Sequence, residues 1–185
     1  MEPARRLRGT PLDNPLHVVL VEPEIPPNTG NVARLCAATG SALHLVGRLG
    51  FRIDEHAVRR AGLDYWHLLD LHVHADLDQA EHALERLRAG PGRSWLFSAQ
   101  ATRSHLDARF RPGDALVFGK ESVGLPAELL RARPDDVVAI PTLGAVRSLN
   151  LSNAVAIALY EALRQNGALT TTRLDPATPA TPATE

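Results

Sequence analysis

The stretch Arg147-Ser-Leu-Asn-Leu-Ser-Asn-Ala-Val-Ala-Ile-Ala-Leu-Tyr160 decides how this chain is read. Four polar side chains (Ser148, Asn150, Ser152 and Asn153) crowd its first half, and an apolar helix follows directly. A short side-chain oxygen at Ser152 or Asn153 can accept from the orphan N–H groups of a first helical turn, which predicts the cap there. Ser148 and Asn150 are left without a structural task. They follow a strand-like run, Val137-Val-Ala-Ile-Pro141, and α/β proteins place ligands beyond the carboxyl ends of such strands.

Working outward, short apolar runs without polar alternation predict strands at 17–21, 42–46, 95–98, 115–118 and 137–140. Helical patterns fall at 31–39, 77–88 and 153–165, with short turns near 55–61 and 127–131. Strands of that kind are buried on both faces, and strand–helix alternation argues for a mainly parallel α/β sheet with helices on both sides. At 185 residues the chain is one domain with room for a proper core. Residues 1–15, with Arg5, Arg6 and Arg8 among Pro3, Pro11 and Pro15, read as a flexible basic arm. Residues 168–185 reduce to Thr, Ala and Pro and are expected to be disordered, which leaves 16–167 as the folded domain.

Composition excludes more than it assigns. Twenty basic residues face 21 acidic ones, so no global field announces a nucleic-acid partner. Nineteen of the basic residues are Arg and one is Lys120; Arg suits bidentate grips on phosphate, and a GC-rich genome gives the same bias. The lone Cys36 rules out an internal disulfide and fits a reducing cytoplasm. No apolar run approaches the ~20 residues of a membrane span, and no signal peptide is evident at the start. None of the eight histidines forms a convincing metal cluster; His72-x-His74 reads as ordinary surface histidines.

The first strand tests the common nucleotide folds. The turn after it is Glu22-Pro-Glu-Ile-Pro-Pro-Asn-Thr-Gly-Asn31, with three prolines and one glycine, so it is not Gly-x-Gly-x-x-Gly. Nor is there a Gly-x-x-x-x-Gly-Lys-Ser/Thr loop. Three other loops carry chemistry. In the first, Asn28 and Thr29 are plausible caps, and Arg34 lies one turn into the expected helix, against the dipole, which suggests an anionic partner. In the second, Phe118-Gly-Lys-Glu-Ser-Val-Gly-Leu-Pro126, Gly119 and Gly124 let backbone approach a ligand closely and Glu121 sits between them. The third is the opening segment, 140–153. The competing readings are an exposed helical arginine in the first loop, a plain strand–turn–helix connection in the second and an over-decorated helix cap in the third.

In order, these loops resemble the three motifs of the SPOUT superfamily of S-adenosylmethionine-dependent RNA methyltransferases, in its 2′-O-ribose branch. The first-loop stretch, Arg59-Arg-Ala-Gly-Leu-Asp-Tyr65, Gly124-Leu-Pro126 and Ser148-Leu-Asn-Leu-Ser-Asn-Ala-Val155 are similar to the small tRNA (cytidine/uridine-34)-2′-O-methyltransferases, over roughly 16–167. The resemblance implies a deep C-terminal trefoil knot, a rare exception to general topology. It implies a cofactor pocket at Ala99, Gly119, Leu125, Ile140, Ser148 and Leu149, and a methyl-transfer site at Arg34, Asn28, Glu121, Ser148, Asn150 and Tyr160. It also implies a homodimer with Arg34 supplied across the interface, no metal, and a tRNA anticodon stem-loop as substrate. Arg48, Arg52, Arg59, Arg60 and the Arg5–Arg8 arm are the candidates for phosphate contacts. Lys120 departs from the proline usual in close relatives, as Ser122-Val123 does from Thr-Arg. Methylation at another tRNA or rRNA position, and a non-catalytic RNA-binding protein of the same fold, remain as alternatives.

Overall fold

The computed structural model describes residues 5–50, 66–170 and 172–176. Among the described residues eight strands and four helices follow one another: β1 (Arg5–Arg8), β2 (His17–Val21), α1 (Pro26–Thr39), β3 (Ala42–Val46), β4 (Leu71–His74), α2 (Leu77–Leu87), β5 (Ser94–Phe97), β6 (Ala115–Phe118), α3 (Ala127–Ala132), β7 (Val137–Val138), α4 (Leu151–Gln165) and β8 (Arg173–Pro176). Six strands make one sheet in the order β4-β3-β2-β6-β5-β7, and every pairing in it is parallel. No helix among the described residues is long and apolar enough to cross a membrane.

Period-2 alternation sorts each strand between two cores. Val18, Leu20, Leu43, Leu45, Trp95, Phe97, Leu116 and Phe118 pack with Val32 and Cys36 of α1 and Val155, Leu159 and Leu163 of α4. Val19, Val46, Leu96 and Val117 pack on the other face with Ala80 and Leu84 of α2 and Leu125. Both faces are therefore covered, as the unalternating apolar runs required.

Several expectations shift. The first helix begins at Pro26, not at 31, because Pro26 and Pro27 suit the first helical positions, where a missing N–H is no loss. Arg34 thus lies more than two turns in, and the dipole argument for it falls. Asn28 and Thr29 sit inside the first turn, not as caps. The last helix is capped by Asn150, whose Oδ1 accepts from the Ser152 and Asn153 N–H groups, so the caps expected at Ser152 or Asn153 are instead the capped positions. Strand β7 is two residues long, with Ala139 continuing only as an isolated bridge to Ser104.

Strand β4 was hidden by its histidines. Parallel register sets His44 beside His72 and Val46 beside His74, while His17 lies on the same face of β2. The result is a stack: His17 Nδ1 to His44 Nε2 at 3.0 Å, His44 Nδ1 to His74 Nε2 at 2.9 Å, and the His44 and His72 rings 4.7 Å apart. Burial holds His17 and His44 neutral, at pKa values of about 4 and about 2. His72 and His74, expected as ordinary surface histidines, join His17 and His44 of the inner strands in one cluster, yet among the described residues no His/Cys/Asp/Glu group is arranged to hold a metal. At the ends, β1 and β8 pair antiparallel with each other, backbone pairing that composition does not reveal.

Candidate active site

From β2 the chain runs outward through β3 and β4, then crosses back to lay β6 on the other flank of β2. The loops leaving β2 and β6 therefore meet at a topological switch point, beyond the carboxyl ends of the strands, where open α/β sheets bind ligands.

Glu121, in the loop after β6, reaches across to the loop after β2. One carboxylate oxygen accepts from the Glu24 N–H at 2.8 Å; the other accepts from the Ile25 N–H at 3.3 Å and from Asn28 Nδ2 at 2.9 Å. Ile25 caps α1 without a side-chain bond of its own, so Glu121 supplies from another loop an anion for that helix start. Burial pushes its carboxyl up, but hydrogen bonds from the Asn28 side chain and the Glu24 and Ile25 backbone outweigh this and hold it below the usual carboxylate range.

That single acceptor fixes the polarity of a chain of amides. A carboxylate can only accept, so Asn28 must turn its NH₂ to Glu121 and its oxygen the other way. There Asn28 Oδ1 accepts from Asn150 Nδ2 at 3.0 Å, which leaves Asn150 Oδ1 to take Ser152 Oγ at 2.8 Å and the capped N–H groups of α4. Asn28 is buried while Glu121 is half-buried and Asn150 exposed, so the network runs from the protein body to the rim. Three separated turns converge on one crevice.

A second lacing joins the same two loops. Glu24 accepts from the Ser122 N–H and Ser122 Oγ, each at 3.0 Å, and Lys120 Nζ donates to Glu22 Oε2 at 2.8 Å. That bond to Glu22 raises the Lys120 pKa. Glu22 itself has φ 49°, the one non-glycine residue at positive φ among those described, a conformation that costs about 1 kcal/mol or more and persists where surroundings impose it. Sequence alone gives Glu22 and Glu24 no role and marks Lys120 only as a departure from close relatives. Their signal was an acidic pair beside a proline-stiffened turn.

Beside this network a cleft opens between the ends of β5 and β6 and the segment leading to α4. Phe97, Phe118, Ile140 and Leu149 wall it, Ser98, Thr142 and Ser148 bring hydroxyls, and Arg147 is the charged side chain on its lining. Of the six expected cofactor positions, Ala99, Ile140, Ser148 and Leu149 line this cleft. Gly119 and Leu125 do not. A Cβ on Gly119 would collide with the backbone of Gly124 and Leu125, so the glycine serves the loop's own fold-back, and Leu125 is buried in the core.

The remaining expected residues are scattered. Arg34 is exposed on α1, six residues beyond Asn28, which is about 9 Å along the axis and on a different face. Tyr160 borders an adjoining hollow of about 780 Å³ with Leu106, Leu143, Val146 and Ile157. Arg48 is exposed just after β3. Arg52, Arg59 and Arg60, and the turn expected at 55–61, lie outside the described residues.

The model of the SpoU rRNA methylase family matches residues 15–160. The chain belongs to that family. A relative, the tRNA (cytidine(34)-2'-O)-methyltransferase of Burkholderia ambifaria, is 49% identical over 152 residues, covering 82% of this chain and 96% of its own. A structure titled for the 2-OH methylation of cytidine or uridine 34 on tRNA is 49% identical with a TM-score of 0.74, over 82% of this chain and 96% of the other. The SpoU methyltransferase AviRb from Streptomyces viridochromogenes, in complex with AdoMet, is 27% identical with a TM-score of 0.71, over 83% of this chain and 61% of that one.

Proposed function

We propose that this chain transfers the methyl group of S-adenosylmethionine to the ribose 2′-hydroxyl of the wobble nucleotide of tRNA. The convergence of Glu121, Asn28 and Asn150 from three turns at the switch point carries the reading, and likeness to relatives named for that reaction gives it its substrate. Residues 16–167 are the catalytic domain, with the C-terminal trefoil knot of the wider superfamily, working in the cytoplasm.

The residues present fit the donor. Aromatic and aliphatic walls with a few hydroxyls suit a nucleoside. Ala99, Ile140, Ser148 and Leu149 would hold it, with Gly119 and Leu125 shaping the loop beneath. When bound, S-adenosylmethionine supplies an electrophilic methyl on a sulfonium. The chain's own part is to orient the ribose, exclude water and accommodate the proton that leaves the 2′-oxygen. Glu121 is a poor proton acceptor at neutral pH, because its oxygens already accept three hydrogen bonds and its pKa lies low. Its role is to position Asn28 and Asn150. A guanidinium offers donors and no acceptor, so Arg34 orients a phosphate or stabilises developing oxyanion character rather than acting as base.

Arg34 lies on a different face of α1 from Asn28, and a second copy of the chain delivers it to the site. The exposed Leu106, Leu143, Val146, Ile157, Tyr160 and Leu169 around one hollow give that copy an apolar face, of a kind monomers rarely leave open. Tyr160 then serves at the interface. The substrate element is the anticodon stem-loop, contacted by Arg48, Arg52, Arg59 and Arg60. The deciding experiment is nucleoside mass spectrometry of tRNA from a strain lacking the chain: the 2′-O-methyl group at the wobble position disappears, and its persistence rejects the assignment.

A further inference from the structure

The family match ends at residue 160 and begins at 15, so neither β1 nor β8 belongs to it. These two strands form a separate ribbon with the register Arg5↔Pro176, Arg6↔Asp175, Leu7↔Leu174 and Arg8↔Arg173. Its root is fixed to the carboxyl end of α4. Gly167 turns the chain back at φ 75°, and the Thr10 N–H donates to the Ala168 carbonyl at 2.9 Å. Gly9 permits that approach, since a Cβ there would strike the same carbonyl.

A lone two-stranded ribbon is marginal in water. This one gains little from burial, because Leu7 and Leu174 are 68% and 61% exposed. Side chains alternate between its faces, which puts Arg6 and Arg8 on one face together with Arg173, directly opposite Arg8. Eight residues hold four arginines and one aspartate, in a chain whose formal net charge is −1. An exposed, cationic ribbon with an opposed arginine pair is matched by a row of phosphates, which guanidinium forks bind bidentately.

We propose that this ribbon is an arm that grips the phosphate backbone of the tRNA away from the methylated nucleotide. The inference rests on the tRNA reading above and adds a second contact region to it. Helix α4 has 15 residues and is about 22 Å long, with Asn150 at one end and the root of the arm at the other. Within a protomer the arm is thus remote from the reacting ribose. Its contacts are the same in ground and transition states, so they lower KM and leave kcat alone.

The test uses the full chain with Arg6, Arg8 and Arg173 all changed to Gln, beside an all-Lys version and a Leu7→Ser/Leu174→Ser control. Binding of tRNA is followed by fluorescence anisotropy across a salt series, with steady-state methylation alongside. Each lost phosphate contact removes about 0.7 to 0.9 from the slope of log K against log salt, so the Gln variant loses about 2. Its KM rises several-fold at an unchanged kcat, whereas the Lys version and the leucine control keep the slope. An enzyme that methylates tRNA with slope and KM untouched by the Gln substitutions overturns the arm alone. Failure of the unaltered chain to bind or methylate any tRNA overturns the underlying reading, and the arm with it.

Discussion

Changing Asn28 to Asp keeps the shape of the side chain and removes the one donor that Glu121 requires. The new carboxylate stands where Asn28 Nδ2 now lies, 2.9 Å from a Glu121 oxygen. Two full charges at that spacing repel by roughly 5 to 6 kcal/mol at an effective dielectric of 20. Holding one proton on the pair instead costs about 4 to 5 kcal/mol at pH 7.5, and only about 1 to 1.5 at pH 5. Protonation is the cheaper route, so the folded variant shares a proton that the unfolded chain has released. A folded state that binds the extra proton loses stability as pH rises. The substitution is therefore mild at pH 5, lowering Tm by about 2 to 6 °C, and severe at pH 7.5, where it lowers Tm by about 10 °C or more. Thermal melts of both proteins at pH 5, 6 and 7.5 read this as a widening gap, while Asn28→Ala shows a gap independent of pH. An equal gap for Asn28→Asp at all three values would refute the contact between these side chains and the polarity drawn through it.

At Asn150, alanine removes both the cap and the Asn28 bond and destabilises by about 1 to 2 kcal/mol; aspartate keeps the cap and loses only the bond, so urea titration should place it between alanine and the native residue. Gly119→Ala forces the 119–125 turn apart; calorimetric titration should show S-adenosylmethionine binding lost even where the fold survives. His17 and His44 have pKa values below that of a free histidine, so they stabilise above pH 6.5 and that stability is lost as pH falls toward 4. Each then contributes up to about 1.4 kcal/mol per pH unit, and His17→Phe should flatten the stability profile between pH 6.5 and 4. Asp114 is buried and accepts from the Arg93 and Arg111 N–H groups and from Trp95 Nε1. Asp114→Ala leaves all three unsatisfied and should cost about 3 kcal/mol or more in chemical denaturation, with kcat of the surviving folded fraction unchanged.

What the sequence disclosed follows from which forces act locally. Four of the five expected strands were readable to within a residue, because strands covered on both faces must be apolar throughout. Strand β4 was not among them for the complementary reason: two of its four residues are histidines, half-buried at the sheet edge, and only the parallel pairing of His44 with His72 stacks them on an interior ring. Cap chemistry was recognised but misplaced by two residues at α4, since Asn150, Ser152 and Asn153 all carry suitable oxygens and sequence does not say which backbone turns helical first. At α1 the fixed φ of Pro26 and Pro27 suits an extended approach and a helix start alike, and sequence does not say which forms.

The site itself was legible as residue types and illegible as a circuit. Asn28, Glu121 and Asn150 lie 93 and 122 positions from one another in the pairs that bond, a separation bridged only by the strand order β2-β6. Once that order is known, the rest is forced. A carboxylate at the switch point has no proton to give, so it dictates how Asn28 is turned, Asn28 dictates how Asn150 is turned, and Asn150 in turn chooses the first residue of α4. The same reasoning separates Arg34 from the group: a helix that starts at Pro26 carries residue 34 around to a different face from Asn28. Removing Glu121's charge should consequently disturb the start of α4, two loops away, before it disturbs anything about Arg34.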